Sequence, residues 1–465
     1  MKHRSSLPSL ACTAALLSLL GGCAVGPDYR QPALPAQVPA FASPADTAAA
    51  AASTPWWQLA DSPQLAALVE RAFAGNRDLR AALAALDEAR ALRREGNAGF
   101  FPVSTISAGY RRQLDSTVFF PGTTRNQRDN QIFDIGVDSA WELDLFGRVR
   151  RMAEAGDALT AAAAADLAQF RLVIAAETAR AYTALAVAQA ALPLQERQLA
   201  AAIEALRLTR CQVEQGKLLP DQLAPAETEV AVAQTTLRDL QLAARNARNR
   251  LGVLVGDGPQ LEIGALALPQ IPAPAFPADA TALLTRRPDV LAAERRLAAS
   301  NAAIGVVTAD YFPTVSFVAR AGAEATRLDR LDSADANFFA FGPRLQWDLL
   351  NLHRTVARVQ GAKARNRQAL AAWENSVLLA LEEIDNALAL RAESFAKLQD
   401  WRRAETAALD AARVAQLRAA AGRLDPVDAL ATERSALQTQ LARLRAEADL
   451  ASASIFLQQS VALDR

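Results

Sequence analysis

The chain has 465 residues, with 50 basic and 50 acidic side chains and a formal net charge of zero. That balance offers no electrostatic footprint for nucleic acid, and two histidines and three cysteines leave little from which to build a metal centre or a disulfide framework. No Gly-rich phosphate loop, GxSxG or HExxH occurs, so nucleotide hydrolysis and the common serine and zinc chemistries lack their residues; no catalytic residue, metal ligand or cofactor is expected.

At the N-terminus Lys2 and Arg4 precede an apolar run from Leu7 to Leu20, followed by Gly21, Gly22 and Cys23. The run is too short for a spanning helix and ends on small residues, which is the form of a signal peptide over 1–22. Leu20-Gly-Gly-Cys23 resembles the bacterial lipobox, which implies cleavage before Cys23 and acylation of its sulfur. Ala24 rather than Asp follows, so nothing resembles an inner-membrane retention signal, and outer-membrane lipid is the expected partner. Loss of Cys12 with the leader leaves Cys211 as the one remaining thiol. Residues 23–55 are rich in Pro, Ala and Ser without periodicity, and read as an acylated, extended tether.

Two segments then carry the same order of patterns. In the first, 56–255, the periodicity predicts a helix over 61–98, strands over 103–112 and 133–142, a long helix over 148–215 and a return helix over 221–252. In the second, 285–465, it predicts a helix over 288–310, strands over 314–322 and 338–348, a long helix over 352–421 and a return helix over 427–461. Asp78 and Asp289, and Phe101-Pro102 and Phe312-Pro313, stand a constant 211 residues apart. Gly216 and Gly422, Pro220 and Pro426, and Glu227 and Glu433 match at 206. A spacing of that size marks a duplicated domain rather than a solenoid. The Pro- and Gly-rich residues 256–284 read as a connection packed outside the helices.

The strands alternate with period two. Phe133, Ile135, Val137 and Trp141 share one parity, and Asp134, Gly136, Asp138 and Glu142 the other. Downstream, Val315, Phe317, Ala319 and Ala321 alternate with Thr314, Ser316, Arg320 and Gly322, and Phe339, Phe341, Leu345 and Trp347 with Ala340, Gly342, Arg344, Gln346 and Asp348. A wall with lipid on one side and water on the other wants that division, with Asp134, Asp138, Arg320 and Arg344 as candidate lumen residues; two hairpins of a soluble α+β domain also fit the pattern. Four strands are too few for a membrane barrel, which takes about eight or more, so several chains must share it. Two copies or three satisfy the arithmetic. Helices of roughly 70 residues reach on the order of 100 Å, too long for a bilayer core of about 30 Å, and their charged faces need water.

Trp141-Glu-Leu-Asp-Leu-Phe-Gly-Arg148, Arg286-Arg-Pro-Asp-Val290, Ala293-Glu-Arg295, Ile304-Gly305, Phe312-Pro313 and Gly342-Pro343, with the start Cys23-Ala-Val-Gly-Pro-Asp-Tyr29, resemble signatures of the TolC-like outer-membrane factor family, in its lipoprotein efflux-duct branch. The resemblance covers essentially the whole mature chain. It implies an α+β membrane protein whose duplicated halves form, as a homotrimer, a shared twelve-stranded β-barrel continuous with a long α-helical periplasmic tunnel. It also implies a periplasmic adaptor and an inner-membrane efflux pump as partners; with no ATP site here, the pump supplies the energy. The expected function is passive conduction of small molecules such as drugs to the outside. A protein-secretion duct and a non-pore coiled-coil scaffold are the alternatives, the second disfavoured by aromatic residues at the strand ends.

The same resemblance places the gate in the turns after Gly216 and Gly422. Asp428, Asp425, Arg423, Asp221 and Lys217 are the candidates, with Asp425 and Asp428 equally suited to capping the returning helix. The family often has an Arg-Tyr pair before the first-turn glycine, whereas here Arg210 is followed by Cys211.

Overall fold

The structure, a computed structural model, describes residues 24–34, 55–274 and 283–461. Its helices of more than one turn are α1 (Pro63–Gly75), α2 (Arg77–Asn97), α3 (Arg148–Glu214), α4 (Leu223–Val255), α5 (Pro288–Thr308), α6 (Leu352–Ala420) and α7 (Pro426–Val461). The strands are β1 (Val103–Leu114), β2 (Asp129–Leu143), β3 (Thr314–Ala325) and β4 (Asn337–Gln346). The chain divides into two compact units, one of residues 1–32, 86–163 and 293–373, the other of 33–85, 164–292 and 374–465.

In the first unit the strands form one antiparallel sheet in the order β1-β2-β3-β4, so the two hairpins also pair with each other through β2 and β3. The strands run beyond 103–112, 133–142 and 314–322, because ladder bonds carry the alternation on into residues such as Glu324. The last strand stops at Gln346 rather than 348, since Asp348 turns into a short 3₁₀ segment at Leu349–Asn351. Each hairpin is entered in the same way. A 3₁₀ turn precedes an extended Phe (Phe101 or Phe312) and a Pro, and a Trp at the hairpin's far end donates to the backbone, Trp141 Nε1 to Phe100 O at 3.0 Å and Trp347 Nε1 to Tyr311 O at 3.1 Å. Phe146 stacks on Phe312 with ring centroids 4.6 Å apart, joining the two junctions.

In the second unit the core gathers α1, α3, α4 and α7: Leu65, Val69, Ala175, Ala179, Tyr182, Leu251, Leu254 and Ile455 are buried together. Alanine dominates the contact face of α3, which lets backbones approach closely. The helix expected over 61–98 is two helices, α1 and α2, separated at Asn76. Buried Asn76 takes ψ 130°, accepts from Leu79 N at 3.0 Å and donates to Leu254 O at 3.1 Å. It thus caps α2 while pinning the end of α4. Gly75 sits where a β-carbon would fall 2.0 Å from Val255 O, so that crossing admits no side chain.

The connection after α4 does more than lie outside the helices. Through 261–274 it has neither helix nor strand, yet Leu261 and Ile271 enter the main core. Its backbone is held by Gln189, which accepts from Leu266 N at 2.9 Å, and by Gln458, which donates to Pro272 O at 2.9 Å. Arg287 closes the far side of this unit. Its buried guanidinium donates to Asp289 at 3.0 and 2.6 Å, to Glu383 at 2.7 Å and to Ser460 O at 2.7 Å. Burial alone would lower its pKa, but the two carboxylates more than offset this and hold it charged.

Candidate functional site

The sheet presents two chemically opposed faces. Register places Ile106, Ala108 and Tyr110 of β1 beside Phe133, Ile135 and Val137 of β2, with Trp141, Phe317 and Phe341 following across β3 and β4. Most of these side chains are exposed in the single chain, Ile106 to 76% and, on β4, Phe339 to 77%, while Phe133 is half-buried. A continuous exposed apolar face of this kind is an interaction surface.

The other face is polar. Asp138 pairs with Arg320 directly opposite at 3.3 Å, and Ser107 Oγ donates to Asp138 at 3.4 Å. Arg320 also stands over the Phe338 ring, 4.9 Å from its centroid. Arg344 lies opposite Ser316. Asp134 faces Glu324 across the β2–β3 pair; like charges so placed repel and require water. Glu324 was missed by the sequence reading because the alternation was ended at residue 322. Of the lumen candidates, then, Asp138 and Arg320 are brought together, while Asp134 stands opposite the Glu324 carboxylate.

The turns of the helical hairpins share one construction. Gly216 and Gly422 have φ of 69° and 68°. Lys217 N bonds to Gln212 O at 2.9 Å and Gly216 N to Val213 O at 2.9 Å; Arg423 N bonds to Arg418 O at 2.8 Å and Gly422 N to Ala419 O at 2.9 Å. Both helices end in Schellman motifs, which satisfy their last carbonyls and demand a left-handed residue. Lys217, Asp221 and Arg423 lie exposed in these turns. Asp425 has a definite job: its Oδ1 accepts from Val427 N at 2.8 Å, capping α7, and its Oδ2 accepts from Gln212 Nε2 at 2.8 Å. Gln212 was not singled out in the sequence, because only the fold brings the end of α3 to the start of α7. Asp428 is exposed in the first turn of α7. Below the turns, Arg210 and Glu227 pair at 3.4 Å, and Gln416 and Glu433 interact at 3.2 Å, each 206 residues on. Cys23 lies outside the described residues.

The family model described as "Outer membrane efflux protein" matches residues 68–257 and 280–462. The chain belongs to the outer membrane efflux protein family. The probable efflux pump outer membrane protein TtgC of Pseudomonas putida is 33% identical over 427 residues, covering 89% of this chain and 86% of TtgC. The probable outer membrane lipoprotein SilC of Salmonella typhimurium is 26% identical and 91% of each chain is covered. Among solved structures, the outer-membrane channel OprN is 38% identical, with 95% of this chain and 99% of its own covered and a TM-score of 0.82. This efflux protein is therefore an α+β channel component of the outer membrane.

Proposed function

We propose that this efflux protein is the passive exit duct of a tripartite system, conducting small molecules such as drugs delivered by an inner-membrane pump and a periplasmic adaptor. The observation that carries this reading is the four-stranded sheet with one exposed apolar face and one charged face. One chain cannot close such a sheet; in line with the family resemblance, three chains each supply four strands to a twelve-stranded barrel, and their duplicated halves supply long helices to a periplasmic tunnel. Asp134, Asp138, Arg320 and Arg344 line the barrel water, joined by Glu324. The turns at Lys217, Asp221, Arg423, Asp425 and Asp428 form the tunnel tip, where the exposed carboxylate of Asp428 draws cations. Cys23 carries the lipid anchor after removal of 1–22.

Single-channel conductance of the purified, acylated protein in planar bilayers, with its mass measured in the same detergent, tests the reading. Low-conductance, cation-preferring openings from a species of three chains support it. A monomer that never conducts, even after both helical-hairpin tips are removed, would sink it.

A further inference from the structure

The residues that follow Cys23 are held by their neighbours as a bound peptide is held. Val25 N donates to Phe146 O at 3.1 Å, and Ala24 packs where a β-carbon on Gly147 would fall 2.5 Å from its Cα. Arg151, whose side chain is 6% exposed, donates to Val25 O at 3.2 Å, to Gly26 O at 3.4 Å and to Asp28 at 2.7 Å, and is steadied by Glu154 at 2.8 Å. Gly26 takes φ 95° and lies so close to Gly305 that a β-carbon on it would fall 2.5 Å from the Gly305 Cα. Asn301 donates to Pro27 O at 2.9 Å, and the Tyr29 hydroxyl donates to Glu294.

These contacts are a built site, not incidental surface packing. Glu294, Asn301 and Gly305 are spaced by seven and four residues, which aligns them on one face of α5. Glu294 is 3% exposed, and its second oxygen meets Arg295 Nε at 3.0 Å, so the hydroxyl of Tyr29 partners a carboxylate that is otherwise hidden. Gly305 lies inside a helix, where alanine is the better former. There a β-carbon would meet Arg151 Cγ at 2.7 Å and Val25 O at 2.9 Å.

We propose that residues 24–30 are a keyed strap, an internal peptide ligand whose seat is made by Gly147 and Arg151 at the start of α3 and by Glu294, Asn301 and Gly305 of α5. The strap packs Ala24, the residue that follows Cys23 in the sequence, at the β2–α3 junction. Resting on the reading of Cys23 as acylated, the lipid is then an anchor in register with the base of the sheet. The extended tether expected over 23–55 is therefore not free over 24–30.

Arg30 is the sole trypsin site between residues 24 and 70, so release of the 23–30 fragment from the full-length acylated protein reports directly on the strap. Cleavage is expected to be at least tenfold slower than in a synthetic peptide of residues 23–34. Gly305→Ala, Asn301→Ala and Tyr29→Phe should each accelerate it, with hydrogen exchange in the four strands unchanged. Should Gly305→Ala fail to assemble, the other two variants, which add no atoms to the seat, decide the matter. Wild-type protein cut as fast as the free peptide, or variants released at the wild-type rate, would overturn the proposal. Conductance measured on the same samples is a separate readout: its loss while release stays slow counts against the duct and not the strap.

Discussion

Asp425 and Asp428 are three residues apart, yet the structure gives them different work. Asp425 satisfies a backbone donor of α7 and takes a bond from Gln212, so Asp425→Ala should cost about 1 kcal/mol from the lost cap and loosen the link between the two turns, seen as faster hydrogen exchange over the first turn of α7. Asp428 caps nothing through its side chain. Its replacement by Ala should leave stability within about 0.5 kcal/mol and raise single-channel conductance if Asp428 narrows the proposed tunnel tip; an unchanged conductance removes it from the gate. Tyr29 supplies a pH dependence. Burial, then the hydrogen bond and the charge of Glu294, raise its hydroxyl above the ordinary tyrosine value of 10.0. The folded value exceeding the unfolded one, the contact contributes fully below pH about 10 and is lost as pH climbs through the folded value. Tryptic release at Arg30 should accordingly quicken in that alkaline window and stay flat from pH 7 to 9.

Elements here are delimited by what crosses them. The break between α1 and α2 follows from Gly75 and Asn76 serving the end of α4, and Asn76→Ala should destabilise by about 1 kcal/mol or somewhat more, since it leaves Leu254 O without its donor. A Gly-Asn pair is a stop signal in sequence, but the surrounding helical period is strong on both sides and masks it. The sheet offers a sharper test. On the proposed barrel reading, Ile106→Arg puts a charge on the lipid side at a cost of up to about 2–4 kcal/mol and should impair outer-membrane assembly, followed by heat-modifiable oligomer bands. The neighbouring Ser107→Arg, on the charged face beside Asp138, should assemble and shift ion preference towards anions. Equal assembly of the two would contradict the facing.

At the scale of the whole molecule, the exposure of the sheet has a solution consequence. The apolar sheet face is exposed, and burying such area is worth roughly 25 cal/mol per Å², so a leaderless chain held in water should self-associate and be recovered as large species by sedimentation, while detergent should resolve it. Arg287 acts at this scale too, joining α5, α6 and the end of α7. Arg287→Ala should lower the thermal midpoint, with a loss of about 3 kcal/mol, because Ser460 O and two carboxylates lose a shared partner.

The sequence by itself determined much of this protein: period-two alternation names the strands and separates an apolar from a polar face, long runs with Pro193 as their one proline name the long helices, and paired glycines name the hairpin turns. These are local signals, written in the residues that form the element. Only the tertiary structure decided that β2 pairs with β3, that Gln212 reaches Asp425, that Leu261 and Ile271 belong to the core, and that Arg151, Glu294, Asn301 and Gly305 contact residues 24–30. Each of those contacts joins residues distant along the chain, and a glycine chosen for close approach reads in sequence like any other glycine until its neighbour is in place.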